Sequence, residues 1–358
     1  MWWRKYITLI VYSKNHLLSS LKDTPFYDSR KFPKYSNNDI LSQIIIRNLL
    51  GHFNQADQLA LIDAPLLLKY INACSQPTLS RFFDRVTIKT NMYLKELVQK
   101  LGCDYVNTNV QDIILDVDST KDITNGHQEG ASYIFYYGIN GYHSMTINEY
   151  NTKLLLSSNF RTGSAYSSNG FLNELKEVLS HLDRKGKTIS FRGGSAFYNA
   201  EFLDYMNNEK IKYYVWAKNY TKVHDLVLQK LEEEGIDYTN YTSNKPYYGE
   251  ITYKLTNMEK TCGEIYDFYE ERGNSENFTK ELKDNFNGKN VGHHEFEKNC
   301  MQFMISSLCY NMYHLFRLMI LEGKDQLIRM NTYRSRYQKI AVKVVKHARR
   351  ITLSFSSA

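Results

Sequence analysis

The chain lacks several features that would assign it to a class of protein directly. Its five cysteines are scattered without a C-x-x-C pair, which excludes a zinc-finger spacing and a disulfide framework. We interpret them as reduced thiols in a protein core. No internal repeat is present, and the apolar run near the N-terminus, Ile7–Val11, is too short for a signal-peptide core or a membrane span. We therefore expect a soluble cytoplasmic protein with no membrane partner.

The composition is that of a globular protein with a mildly basic character. The 358 residues are 42% hydrophobic and 23% charged, which allows a buried core and two or more domains. A formal charge of +7 permits a nucleic-acid partner without requiring one. A C-terminal run without acids contains Arg334, Arg336, Lys339, Lys343, Lys346, His347, Arg349 and Arg350. This run is either a solvated face or a phosphate-binding surface.

Residues 1–110 are predicted to be mainly helical. A helix begins near Asp39, because apolar residues then recur at helical spacing, and Gly51 ends it. A further helix over residues 93–101 is expected to end at Gly102. Between them, Pro77 indicates the first turn of a short helix. Arg81 then lies on an exposed helix, where helix-turn-helix proteins make groove contacts, although a packing helix with a polar cap explains the pattern equally well.

A short strand rich in β-branched residues is predicted from Ile113 to Val117. It carries Asp116 and Asp118, and the strand period of two places both carboxylates on one face. Asn140-Gly141 is a strong turn signal. Two strands over residues 142–148 and 153–160 then form a hairpin, followed by a helix, a strand over 188–192, a helix and a strand over 211–216. Trp216, at the end of the last strand, could reach DNA, and a plain strand end is the alternative.

These elements give a β-β-β-α-β-α-β order over residues 111–218. Residues 219–261 interrupt it with a polar, β-containing insertion, and residues 262–322 add the last helices. A basic tail, residues 323–358, closes the chain. The predicted fold class is therefore α/β, a mixed sheet flanked by helices and preceded by a helical region.

One charged stretch, residues 269–283, carries four polar side chains at helical spacing. As a single helix it would place Tyr269, Arg272, Glu276 and Lys283 within about 60° on one face. These side chains make a poor core stripe, and they suit a surface that holds a metal ion beside a polyanion. An ordinary solvated helix face with charge pairs is the alternative.

In their order and spacing these motifs resemble the DDE transposases of bacterial insertion sequences, in the branch marked by a Y-R-E-K signature. The match combines Tyr269-x2-Arg272-x3-Glu276-x6-Lys283 with the first-aspartate motif around Asp118. Weaker similarities lie at residues 76–81, 128–143 and in the basic tail. The resemblance implies a ribonuclease H-like catalytic domain, with residues 1–110 as its DNA-binding region.

The resemblance also implies a site and its partners. Asp118 and Glu276 would be catalytic metal ligands for two Mg²⁺ or Mn²⁺ ions. For Asp116 the alternatives are a supporting residue, a further ligand, or simply a polar residue at a strand end. Tyr269, Arg272 and Lys283 would contact DNA phosphates near the cut, with Arg81 a further DNA contact. The partners would be double-stranded element ends and target DNA, bound by a homodimer in the bacterial cytoplasm at the nucleoid.

The sequence departs from the family pattern at one position. Gly194 stands in Phe191-Arg-Gly-Gly194-Ser-Ala-Phe197, where the second metal-bridging aspartate is expected. Glycine offers no side-chain ligand, so three hypotheses follow: a transposase impaired in cleavage, a catalytically dead DNA-binding remnant, or an α/β interaction protein whose charged helix is only solvated. Salt-dependent binding to duplex DNA would separate the first two from the third.

Overall fold

The computed structural model describes residues 20–53, 74–216, 221–235, 256–258, 260–338, 342–347 and 350–355. Its centre is a six-stranded mixed sheet with helices around it. The strands are β1 (Asp112–Ile123), β2 (Ser132–Ile134), β3 (Ile139–Glu149), β4 (Leu155–Asn159), β5 (Thr188–Gly193) and β6 (Lys212–Val215). The α/β class and the mixed sheet predicted from the sequence are confirmed.

The long strand β1 is central and has different neighbours along its length. It runs parallel to β5 over residues 112–116 and antiparallel to β3 over residues 115–123. β6 continues the sheet beyond β5, whereas β2 and β4 pair with β3. Because β5 accompanies only the first part of β1, the second part extends past it. Asp118 lies just after this point.

Two glycine assignments from the sequence are wrong for the same reason. Asn140-Gly141 is not a turn but part of β3, and the turn lies earlier, at Gly138, which has φ 65°. A Cβ on Gly141 would collide with the carbonyl oxygen of Asp122 on β1. Gly102 likewise does not end a helix. There a Cβ would lie 2.9 Å from Leu156 Cδ2, so the glycine allows close helix–strand packing.

The helices before the sheet are α1 (Asn37–Leu50), α2 (Gln76–Phe82) and α3 (Ile88–Asn109). Ser36 caps α1, and its end at Gly51, with φ 82°, is as predicted. α2 carries a proline in its first turn, also as predicted. α3 instead runs through Gly102 for 22 residues. The sequence also contains a second apolar segment over residues 59–68, which lies outside the described residues.

The remaining helices follow the sheet strands or close the domain. They are α4 (Phe171–His181), α5 (Ala200–Asn208), α6 (Thr221–Glu233), α7 (Cys262–Glu270), α8 (Gly273–Asn285), α9 (Phe296–Ile320) and α10 (Met330–Tyr333). The tail contains a hairpin of β7 (Val342–His347) and β8 (Arg350–Phe355). The insertion predicted to be β-rich begins with helix α6. The stretch of this insertion whose sequence resembles a strand, residues 250–255, lies outside the described residues.

Helix α9 joins the N-terminal helices and the sheet in one core. It is buried along most of its length. The Asn311 side chain donates to the carbonyl oxygens of Val98 on α3 and Leu155 on β4, at 3.0 and 2.8 Å. It also accepts from the Leu155 amide at 2.8 Å. The helical region and the sheet are therefore packed together through hydrogen bonds as well as apolar contacts. Among the described helices, none has the length and hydrophobicity of a membrane span.

Candidate functional site: a mixed-charge cleft beside the central strand

A cleft of about 1680 Å³ opens where β1 extends past β5. Its lining includes six of the positions identified from the sequence: Asp118, Gly194, Tyr269, Arg272, Glu276 and Lys283. The structure thus brings Asp118 together with residues up to Lys283, which are far apart along the chain. Arg81 is elsewhere. It is exposed on α2, and its Nε donates to the Pro77 carbonyl oxygen at 3.1 Å.

Asp118 lies on the face of β1 that α8 covers. Its carboxylate accepts a hydrogen bond from Arg272 Nη2 at 3.2 Å, and its side chain is 23% exposed. Burial raises the pKa of the Asp118 carboxyl group, Arg272 lowers it, and the negative charge of Glu276 raises it again. Glu276 is itself exposed in the first turn of α8. Two carboxylates therefore face one cleft with a guanidinium in contact with one of them.

Asp116, two residues earlier, has a different role. Both of its oxygens accept from Arg192, at 2.6 and 2.8 Å, and both side chains are fully buried. Arg192 also donates to the Phe268 carbonyl oxygen on α7 at 2.7 Å. Its guanidinium lies between the rings of Tyr150 and Phe268, at 4.2 and 4.8 Å from their centroids. Asp116 thus anchors β5 and α7 to β1 and does not line the cleft.

The single helix predicted over residues 269–283 is wrong: α7 and α8 are separate. The break at Glu271 and Arg272 keeps helical backbone angles but uses tighter hydrogen bonds, with the Arg272 amide donating to Tyr269 O at 2.9 Å. Tyr269 and Arg272 still face the cleft. The Tyr269 hydroxyl donates to Gly193 O at 3.3 Å, and its ring lies 5.5 Å from Trp216.

Lys283 is used to hold α8 on the sheet. Its Nζ lies 3.0 Å from an oxygen of the fully buried Asp122, donates to Thr120 Oγ1 at 2.7 Å, and donates to the Lys121 carbonyl oxygen. The second Asp122 oxygen accepts from Ser144 Oγ at 2.6 Å. The ammonium group therefore has three partners on β1, which leaves little freedom for a phosphate contact.

Gly194 follows β5 directly and faces Arg272. A Cβ at this position would lie 3.8 Å from Arg272 Nη2, an ordinary van der Waals distance. Its backbone angles, φ −70° and ψ 176°, are accessible to any L-residue. Neither sterics nor backbone geometry therefore requires glycine at residue 194.

The residues of the cleft do not fit the two-ion metal site that the resemblance implies. Among the described residues, no three His, Cys, Asp or Glu side chains converge as a metal-binding group. Asp118 has a guanidinium against it, Gly194 supplies no carboxylate, and Asp116 is fully engaged by Arg192. The Arg272 guanidinium can bind a phosphate group, and the two carboxylates can accept hydrogen bonds from water. They give an incomplete set of oxygen ligands for a pair of divalent ions.

Two residues important to the site were not identified from the sequence: Arg192 and Asp122, which hold α7 and α8 in position. Trp216, named from the sequence as a DNA contact or a plain strand end, is 55% exposed at the cleft. Asp122 had a detectable signal. Asp116, Asp118 and Asp122 share the period of two along one strand, but the predicted strand ended before Asp122, whereas β1 extends to Ile123. For Arg192 the partner lies 76 residues away, so no local pattern indicates the pair.

Comparison of this chain with known proteins finds a matching family model and a solved structure of similar fold. The family model described as transposase DDE domain group 1 matches residues 13–256 and 249–358. The fold is similar to a solved cryo-EM structure of the piggyBac transposase synaptic complex with hairpin DNA, with a TM-score of 0.53. That match covers 93% of this chain and 80% of the other at 12% identity, which supports similarity of fold alone. No curated protein sequence matches the chain.

Proposed function

The chain belongs to the DDE transposase family, and from this premise we propose that it binds DNA as a transposase whose strand cleavage is impaired. In this proposal the cleft takes the DNA backbone at an element end. Asp118 and Glu276 are the remaining carboxylates of the catalytic set, and Arg272 and Tyr269 contact phosphates beside them. The single observation that carries the impairment is Gly194, which faces Arg272 without any side chain.

The electrostatics of the cleft support this assignment. A functional cleavage site must stabilise negative charge that develops on the phosphate in the transition state. Arg272 already neutralises the charge of Asp118. Gly194, which stands where the family pattern has an aspartate, offers no side-chain oxygen ligand beside Arg272. Loss of such a ligand lowers transition-state stabilisation by about several kcal/mol, which corresponds to orders of magnitude in rate. DNA binding depends on cations instead and is retained in this proposal.

The finer features implied by the resemblance form part of the same proposal. They are an origin in a bacterial insertion sequence, a ribonuclease H-like core, a homodimer on paired element ends, and a requirement for Mg²⁺ or Mn²⁺ once the carboxylate set is complete. The proposed organisation places residues 1–110 and the basic tail, residues 323–358, on DNA, and the cutting site between residues 111–218 and 262–322.

The test is nicking of supercoiled plasmid in Mg²⁺ or Mn²⁺, which needs no knowledge of the element ends. Three proteins are compared: the unmodified chain, Gly194→Asp, and the matched control Gly194→Ala. We expect Gly194→Asp to nick at least about tenfold faster than the other two, a gain of about 1.4 kcal/mol in transition-state stabilisation. Gly194→Ala adds a Cβ without a carboxylate and should behave like the unmodified chain.

The outcomes separate the hypotheses. Efficient nicking by the unmodified chain would contradict the impairment. No nicking by Gly194→Asp, with DNA binding intact, would favour the second candidate, a DNA-binding remnant in which other changes also prevent cleavage. If the chain does not bind DNA even at low salt, the impaired transposase and the DNA-binding remnant are both excluded, and the α/β interaction protein remains.

A further inference from the structure

The hairpin between β2 and β3 presents an exposed aromatic surface at the cleft. The exposed fractions are 49% for Tyr133, 89% for Phe135 and 83% for Tyr136, and all three residues line the cleft. We refer to these three residues as the aromatic tip. Large apolar side chains that are exposed together, rather than singly, usually mark a binding surface. None of the three is among the proposed catalytic or phosphate-contacting residues.

The aromatic tip is held in a defined shape. The amides of Tyr137 and Gly138 donate to the Ile134 carbonyl oxygen at 3.1 and 2.9 Å, and Gly138 takes φ 65° to close the turn. The Tyr133 and Phe135 rings meet edge to face at 5.1 Å. The tip therefore does not need to be ordered on binding, which lowers the entropic cost of contact with a ligand.

Tyr137 ties this turn to the central strand. Its hydroxyl donates to Ser119 O at 3.1 Å, and its ring lies 4.8 Å from Tyr136. Lys121 Nζ is 4.9 Å from the centroid of the Tyr137 ring. Ser119 is the residue after Asp118, so the aromatic tip is held at a fixed position relative to the catalytic carboxylates.

Cations and a second aromatic pair surround the same cleft. Lys280 is exposed on α8, and the Trp216 ring lies 5.5 Å from the Tyr269 ring, tilted by 39°, on the β5–β6 side. With Lys121 beside the Tyr137 ring, the lining contains lysine side chains and aromatic rings as well as the carboxylates of the cleft. This combination is typical of proteins that bind single-stranded nucleic acid, in which cations bind the phosphates and aromatic rings stack on exposed bases.

We propose that the aromatic tip binds unpaired bases of DNA held in the cleft, so that the protein prefers DNA with a single-stranded end over a fully paired duplex. The proposal rests on the proposed function, because the cleft must first take DNA. Paired bases inside a duplex cannot reach Phe135 and Tyr136, whereas unpaired bases can stack on them. Each stacked base strengthens binding roughly tenfold.

The experiment measures binding by fluorescence anisotropy at fixed salt. One labelled DNA is a blunt duplex, and the other is the same duplex extended by roughly eight unpaired nucleotides. The unmodified protein should bind the extended DNA at least about tenfold more tightly. The double variant Phe135→Ala/Tyr136→Ala should lose this preference and bind the blunt duplex within about twofold of the unmodified protein.

A matched control is Phe32→Ala, which removes another highly exposed ring, 97% exposed and outside the cleft lining. It should leave the preference unchanged. As a second readout, 2-aminopurine in the extension should lose fluorescence on binding to the unmodified protein but not to the double variant. Thermal unfolding of each variant verifies that the fold is retained.

Different failures identify different errors. If neither DNA binds, the proposed function fails. If both DNAs bind equally, or the double variant keeps the preference, the aromatic tip is not a stacking surface. If the unmodified chain forms oligomers that the double variant does not, the tip is a self-association surface and the inference is overturned.

Discussion

Arg192 and Asp116 form a two-bond ion pair that is completely removed from solvent, although the two residues lie 76 positions apart. The pair joins the two parallel strands whose ends frame the cleft, and Arg192 extends to the backbone of α7. Burial raises the pKa of Asp116 to about 6, and the hydrogen bonds from Arg192 act against this shift. The pair positions the helix that precedes Arg272.

Replacing Arg192 by methionine should therefore be severely destabilising. The substitution leaves the Asp116 carboxyl group buried without its partner, which typically costs about 3–5 kcal/mol in the free energy of unfolding. The control is Arg184→Met, which breaks a partly exposed pair with Glu209 and should cost less than about 1 kcal/mol. Urea unfolding measures both. Equal losses in the two variants would contradict the assigned role of the buried pair.

Lys283 and Lys280 lie on the same helix and should separate stability from DNA binding. Lys283→Met leaves Asp122 buried and without its cation, and should lower the free energy of unfolding by about 3 kcal/mol or more. Lys280 is exposed, so Lys280→Met should change stability by less than about 0.5 kcal/mol.

The same two variants should behave in the opposite way towards duplex DNA. Each lysine that neutralises a phosphate contributes about 0.9 to the slope of log affinity against log salt concentration. Lys280→Met should reduce that slope by about one, whereas Lys283→Met should leave it unchanged, because its ammonium group is committed to β1. If the slope fell in Lys283→Met and not in Lys280→Met, Lys283 would contact a DNA phosphate, as the Y-R-E-K resemblance implies.

Local patterns predicted much of the sheet and the element order. The strand period of two placed Asp116 and Asp118 on one face, and helical spacing with Gly51 bounded α1. Glycine was the main source of error, because it serves both turns and close backbone approaches. Gly51 has φ 82° and ends a helix, whereas Gly102 and Gly141 lie inside regular elements that pack closely on a neighbour. One sequence cannot distinguish these uses.

The site was predicted less completely than the fold. Spacing along the chain brought Tyr269, Arg272 and Glu276 to one surface, and that surface is the cleft lining. The partner of each charge was not predictable. Arg272 contacts Asp118, 154 residues away, and this depends on how the strands and helices pack. Long-range ion pairs leave no periodic signal, so their effect on each carboxylate appears only in three dimensions.

The buried His314 predicts a specific pH dependence of stability. It lies on α9 with its ring 4.2 Å from that of Tyr310, and its Nε2 is 3.7 Å from a Glu281 carboxylate oxygen. Burial lowers the pKa of His314 well below 6.5, and Arg317 and Lys153 lower it further, despite the nearby Glu281. As the pH falls below 6.5, the unfolded chain binds a proton that folded His314 does not. Stability is therefore lost in that direction.

The variant His314→Gln isolates this effect. Between about pH 7.5 and about pH 5.5, the histidine should cost the unmodified protein about 1.4 kcal/mol that the variant does not lose. The raised pKa of Asp116 acts in the opposite direction in both proteins, because its folded state binds a proton below about 6. The difference between the two urea-unfolding curves therefore reports His314 alone. Parallel pH dependences would contradict a neutral buried imidazole.

Gly102 should resist a substitution that normally favours helices. Alanine has a helix propensity about 1 kcal/mol better than glycine. In α3, however, its Cβ would collide with Leu155 O and lie 2.9 Å from Leu156 Cδ2. Separating α3 from β4 to make room would strain the Asn311 side chain, which hydrogen-bonds to both elements.

Gly102→Ala should therefore lower the free energy of unfolding by about 1–3 kcal/mol, the usual cost of overpacking a core. Gly273→Ala is the control, since a Cβ there meets no atom within 4 Å, and it should be neutral or slightly stabilising. Urea unfolding of the two variants measures the difference. Equal stabilisation of both would mean that α3 does not need to approach β4 so closely, and that glycine is not required at residue 102.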